Sequence, residues 1–183
     1  DSGQVYIDIT PPDVRGDPST ADPIAEAQPT WTWAASSDSG IGLGDPAYEL
    51  QWSTDSTFNT DVVDGTEDTE SFKHDDVLSD NTWYFRVRAV DAVGNASDWS
   101  NAASKVVDIN PPTVPGTPST ATPTNDSTPT WTWADSTDAG TGLDDDEPYI
   151  IEWSTEADFS SNTFAGTEDD ASFTHTDSLA DGT

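Results

Sequence analysis

The chain repeats itself. DITPPDVRGDPSTADP at 8 to 23 aligns with DINPPTVPGTPSTATP at 108 to 123, and PTWTWA at 29 to 34 recurs at 129 to 134, an offset of 100 (108 against 8). Further along, LQWSTDSTF at 50 to 58 aligns with IEWSTEADF at 151 to 159, and GTEDTESFKH at 65 to 74 with GTEDDASFTH at 166 to 175, an offset of 101 (151 against 50). One residue is inserted between Trp33 and Trp52, which marks that stretch as a loop. A period near 100 residues has the size of one β-sandwich module and is too long for a solenoid repeat. Residues 1 to 8 align with 101 to 108, and Thr183 aligns with Thr82. The expected layout is therefore three pieces. Residues 1–10 are the last strand of a preceding repeat plus a junction, 11–110 a complete repeat, and 111–183 a second repeat lacking its last two strands. Two readings account for that phasing: a slice of a longer array, or a module completed by a strand from a neighbouring chain.

Within each repeat the apolar residues alternate with period two. Trp31 and Trp33 share a face in PTWTWA; Tyr48, Leu50 and Trp52 share one in AYELQWS, with Glu49 and Gln51 opposite. In TWYFRVRAV, Trp83, Phe85, Val87 and Ala89 lie opposite Tyr84, Arg86 and Arg88. Such runs read as strands with one buried and one wet face. Gly, Pro, Asn and Asp clusters separate them, and no segment carries a sustained helical stripe. The fold class expected is all-β: tandem immunoglobulin-like, fibronectin type III-like sandwiches.

Composition narrows the function. With 36 acidic against 5 basic residues the net charge is -31, and only 32% of residues are hydrophobic. A chain that buries so little apolar surface risks staying unfolded. Eight Trp, six Phe and four Tyr answer that, because each large aromatic buries roughly 150–250 Å². The charge repels nucleic-acid phosphates and anionic lipid headgroups, so neither is expected as a partner. No apolar run of about 18 residues is present, so membrane insertion is not expected. Excess carboxylate also repels itself; bound cations, high external salt or both are the usual remedies, and divalent cations are a leading expectation. There is no Cys, hence no disulfide framework to read.

LSDNTWYFRVRAVDAVGNASDWS at 78 to 100, the Trp of the third strand and the D-x-x-P-P junctions resemble bacterial immunoglobulin-like and fibronectin type III-like repeats of large surface adhesins or extracellular fibres. The resemblance spans nearly the whole chain. It implies a cell-surface or extracellular setting and partners among neighbouring repeats, other copies in a fibre or surface carbohydrate. It also implies junctions stiffened by calcium.

The carboxylates give that last implication a location. In a sandwich, the start of the first strand, the loop between the second and third strands and the final hairpin meet at one end. For the complete repeat this end gathers Asp8, Asp38, Asp45, Asp91 and Asn95; matching positions further on are Asp108, Asp138 and Asp144. Calcium takes six to eight oxygens at about 2.3–2.6 Å, which such a set supplies. The competing reading is that the same residues only build turns, as Asp and Asn do. No D-x-D-x-D-G loop occurs.

Catalysis finds no footing. His74 and His175 occupy equivalent positions without a second His or a Cys, which reads as structural, and no G-x-S-x-G elbow appears. Carboxylates are too frequent for any pair to signal glycoside hydrolysis. Trp99 and Tyr84, off the main core stripe, are candidates for a sugar-stacking platform. Asn95-Ala96-Ser97 and Asn125-Asp126-Ser127 are sequons. Pro11–Pro12 and Pro111–Pro112 fix extended backbone at the junctions, as a stiff spacer requires. The function expected is a non-catalytic spacer. The alternatives are a carbohydrate-binding accessory module of a polysaccharide-degrading enzyme, and a filament subunit completed by strand addition.

Overall fold

A computed structural model describes residues 7–14, 16–22, 26–120 and 125–179. The strand expected at 1–6 lies outside the described residues. The chain divides into two compact units, Asp1–Ile109 and Asn110–Thr183.

The first unit is a sandwich of two antiparallel sheets. One is four-stranded, with β3 (Val63–Glu67), β2 (Leu43–Ser53), β5 (Asn81–Asp91) and β6 (Ala103–Val107) side by side in that order. The other pairs β1 (Thr30–Thr32) with β4 (Ser71–Lys73), and Ser19 bridges to Thr32. The alternation read from sequence is the burial observed: Tyr48 and Leu50 on β2 and Phe85, Val87 and Ala89 on β5 are buried. Aromatic rings lock the sheets face to face. Trp31 of β1 stacks on Phe85 of β5 at 4.9 Å, and Phe72 of β4 lies on the same ring at 5.9 Å. Trp83 sits off this cluster and packs instead with Ala27, Leu78 and Val107.

The second unit repeats part of this plan. β7 (Thr130–Thr132) pairs with β10 (Ser172–Thr174), and β8 (Tyr149–Ser154) with β9 (Thr163–Glu168). The register is conserved between units: Tyr48↔Glu67 becomes Tyr149↔Glu168, and Trp31↔Phe72 becomes Trp131↔Phe173. No helix among the described residues is long and apolar enough to cross a membrane.

One local expectation needs correcting. Asp45 is not in a loop but on β2, where the register with β5 shifts between Leu43 and Tyr48. Pro46 follows it and has no N–H to give a ladder, so the strand continues through an irregularity instead of ending.

Candidate metal centre

Three carboxylates expected at one end of the first unit do converge. One oxygen from each of Asp8, Asp38 and Asp91 lies within 4.8 Å of the others. Each is aimed by backbone amides of its own short turn. Asp8 Oδ1 accepts from the Thr10 N–H at 3.0 Å, and its Oδ2 from the Ile41 N–H at 2.9 Å, joining the entering segment to the 38–42 loop. Asp38 Oδ2 accepts from the N–H groups of Gly40 and Gly42, both at 2.9 Å. Asp91 Oδ1 accepts from Val93 at 2.9 Å and Asn95 at 2.8 Å across the turn that ends β5, where Gly94 takes φ 92°.

Gly40 has a steric reason. A Cβ there would sit 1.8 Å from Asp8 Oδ2, so any side chain would push the carboxylate out of the cluster.

Two features go beyond turn chemistry. Asp38 Oδ1 is buried without a hydrogen-bond partner, an arrangement that costs free energy unless something compensates the oxygen. Asp91 is itself buried, at 2% exposure. Burial pushes its carboxyl pKa up, but the Asn95 side chain and the amides of Asn95, Val93 and Gly94 outweigh this and hold it below the usual carboxylate range. It therefore stays charged beside two other carboxylates.

Asn95 lies beside the cluster: its Nδ2 donates to Asp91 Oδ2 at 2.7 Å and to the Asp8 carbonyl at 3.1 Å, which ties two of the three acidic residues together. This engagement also uses the first sequon's acceptor nitrogen, whereas Asn125 is exposed. Asp45 is exposed and outside the cluster. Asp108 is buried in the first unit. In the second, Asp138 Oδ1 accepts from the Gly140 N–H at 3.0 Å, and exposed Asp144 accepts from Asp146 and Glu147, bonds that hold its pKa below the usual range. The positions matching Asp91 and Asn95 fall past Thr183.

His74 and Trp99 are engaged structurally. His74 Nε2 accepts from the Trp31 indole N–H at 3.2 Å, and its ring stands edge-on to Trp52 and Phe72. Burial lowers its pKa to about 4, despite the opposing pull of Asp75, so the imidazole is neutral. Trp99 carries the guanidinium groups of Arg86 and Arg88 at 4.7 and 4.6 Å from its ring centroid. Arg86 also lies 4.1 Å over Phe58 and binds Gln51 Oε1, while Arg88 pairs with Glu49 at 2.6 Å. Period-two reading leaves this ladder unseen, because it joins residues from four separate segments on the outer face. The spacing Arg-x-Arg before Asp-Trp-Ser was its one sequence signal.

No protein-family model matches the chain, and no curated protein matches it. Among solved structures it is similar to the sixth fibronectin type III domain of human fibronectin type III domain containing protein 3. That match has 19% identity and a TM-score of 0.45, over 57% of this chain and 93% of that one. It is also similar to the FN1–FN3 domains of chicken CNTN1, at 17% identity and a TM-score of 0.43, over 92% of this chain and 57% of that one. The fold itself stands on strand order, register and core: the chain is all-β, with an immunoglobulin-like sandwich in its first unit.

Proposed function

We propose that the chain is a non-catalytic structural module of a secreted or cell-surface protein, a stiff spacer whose first unit binds Ca²⁺ through Asp8, Asp38 and Asp91. The observation that carries this is the convergence of the three carboxylates, one of which, Asp38, also keeps a buried oxygen, Oδ1, without a hydrogen-bond partner. The donor set favours a hard cation: it is all oxygen, with no Cys or Met in the chain and no His in the cluster. Water completes the shell.

The structural consequence follows from where the ligands come from. Asp8 belongs to the segment entering the sandwich, Asp38 to the loop after β1, and Asp91 to the end of β5. A cation held by all three ties the entering segment to both, three residues before the stiff Pro11–Pro12 pair. It also neutralises local repulsion in a chain of net charge -31. Sugar stacking is the less favoured reading, because two guanidinium groups already lie on the Trp99 indole.

Thermal unfolding followed by Trp fluorescence tests the proposal. Calcium at a hundredfold excess over its Kd adds about 2.7 kcal/mol to the native state, which raises the midpoint by several degrees. The expected result is a shift with calcium that chelator abolishes and sodium at equal ionic strength does not reproduce. Equal midpoints in calcium and matched sodium would reduce the carboxylates to a solvated acidic surface.

A further inference from the structure

The core of the first unit buries one donor that the protein itself does not satisfy. The indole Nε1 of Trp33 is buried and has no hydrogen-bond partner within the chain. Other indoles fare differently: Trp31 gives its N–H to His74 Nε2 at 3.2 Å, and Trp83 gives its own to the Ser79 carbonyl at 2.9 Å. An indole nitrogen can only donate, and a buried donor left unpaired forfeits the bond to water that it makes in the unfolded chain. The same nitrogen of Trp133, the equivalent residue of the second unit, is also buried and unpartnered, so the demand recurs with the repeat.

Trp33, itself 8% exposed, lines a cavity of about 10 Å³ together with Tyr48, Val87, Ala89, Ser97 and Ser100. That volume is about what a single water needs, and nothing larger fits.

The lining offers acceptors but no further donors. Ser97 Oγ accepts from the Ala89 N–H and donates to the Asp98 carbonyl; Ser100 Oγ accepts from the Val87 N–H and donates to the Asn101 carbonyl. A hydroxyl has one hydrogen and two lone pairs, so each of these oxygens keeps one lone pair after those bonds. Tyr48 is committed elsewhere, since its hydroxyl accepts from the Ser36 N–H at 3.0 Å and donates to Glu70 Oε1 at 3.1 Å.

We infer that this cavity is the binding site of one structural water, which accepts from Trp33 Nε1 and donates to the hydroxyls of Ser97 and Ser100. Three hydrogen bonds are the usual complement of a buried water. The chemistry of the lining selects it over an ion. An N–H donor repels a metal cation, and two oxygen lone pairs repel an anion, whereas water takes one bond and gives two. The bridge joins the residue after β1, and through it the two-stranded sheet, to the segment that completes the edge of β5. It is independent of the calcium proposal, since none of its three anchors is an acidic residue of that cluster.

High-resolution crystal structures of the whole chain and of its Trp33→Phe variant test this. The native chain should show one ordered water within about 3.2 Å of Trp33 Nε1 and in reach of both serine oxygens. Trp33→Phe keeps an aromatic ring at the position but has no N–H, and the water should be lost from it. An empty cavity in the native chain, or a protein acceptor on Trp33 Nε1, would overturn the inference. So would a water that stays in place in Trp33→Phe, because the indole would then not be its anchor. Should the variant not fold, the native structure alone decides between a bound water and a dry or self-satisfied indole.

Discussion

The bond from the Trp31 indole to His74 Nε2 exists only while that nitrogen is unprotonated, and it ties the deepest ring of β1 to the end of β4. In the unfolded chain His74 takes up its proton near pH 6.5, whereas in the fold burial delays this to about pH 4. Between those values the unfolded state binds a proton that the native state refuses. The stability His74 confers is therefore complete above pH 6.5 and lost as pH falls toward 4. His74→Gln keeps an acceptor for the indole but does not titrate. Urea unfolding at pH 7 and pH 4.5 should show the native chain losing on the order of 1 kcal/mol more than the variant over that interval. Equal losses would mean that carboxylates alone set the acid sensitivity. His74 was legible as structural from its position two residues after Phe72. Its partner was not, because Trp31 lies 43 residues away in sequence.

At the scale of elements, β5 organises the first unit. Its alternation was plain in the sequence because a strand buried on one face must repeat every second residue. How its outer edge is satisfied was not. Beyond the pairing with β6, the N–H groups of Val87 and Ala89 donate to the hydroxyls of Ser100 and Ser97, both at 3.1 Å. The Ser100 and Ser97 N–H groups return bonds to the Val87 and Ala89 carbonyls at 2.9 Å. Side chains thus complete a ladder that the irregular segment 97–100 cannot make with backbone alone. This geometry also places Trp99 over the two arginines. Ser100→Ala leaves the Val87 N–H buried and unpaired and should cost about 1–3 kcal/mol in urea unfolding. A loss under about 0.5 kcal/mol, the range of an ordinary surface change, would show that the edge is satisfied some other way. The same limit of pattern reading explains Asp45. Spacing alone put it near the cluster, but the strand irregularity before Tyr48 carries it to an exposed position.

For the whole molecule, the internal repeat was the most informative sequence feature: the segments that align in sequence pair with equal registers in the two units. The convergence of Asp8, Asp38 and Asp91 was readable only through the assumed ends of a sandwich. Gly40 and the amides that aim the carboxylates needed coordinates. The account turns on whether that convergence is a cation site, and calorimetric titration of calcium onto the chain asks this directly. It predicts a saturable site that Asp38→Asn abolishes while keeping an acceptor for the Gly40 and Gly42 amides, and that Asp45→Asn leaves intact. A titration with no saturable heat, or one that Asp38→Asn does not change, would contradict it.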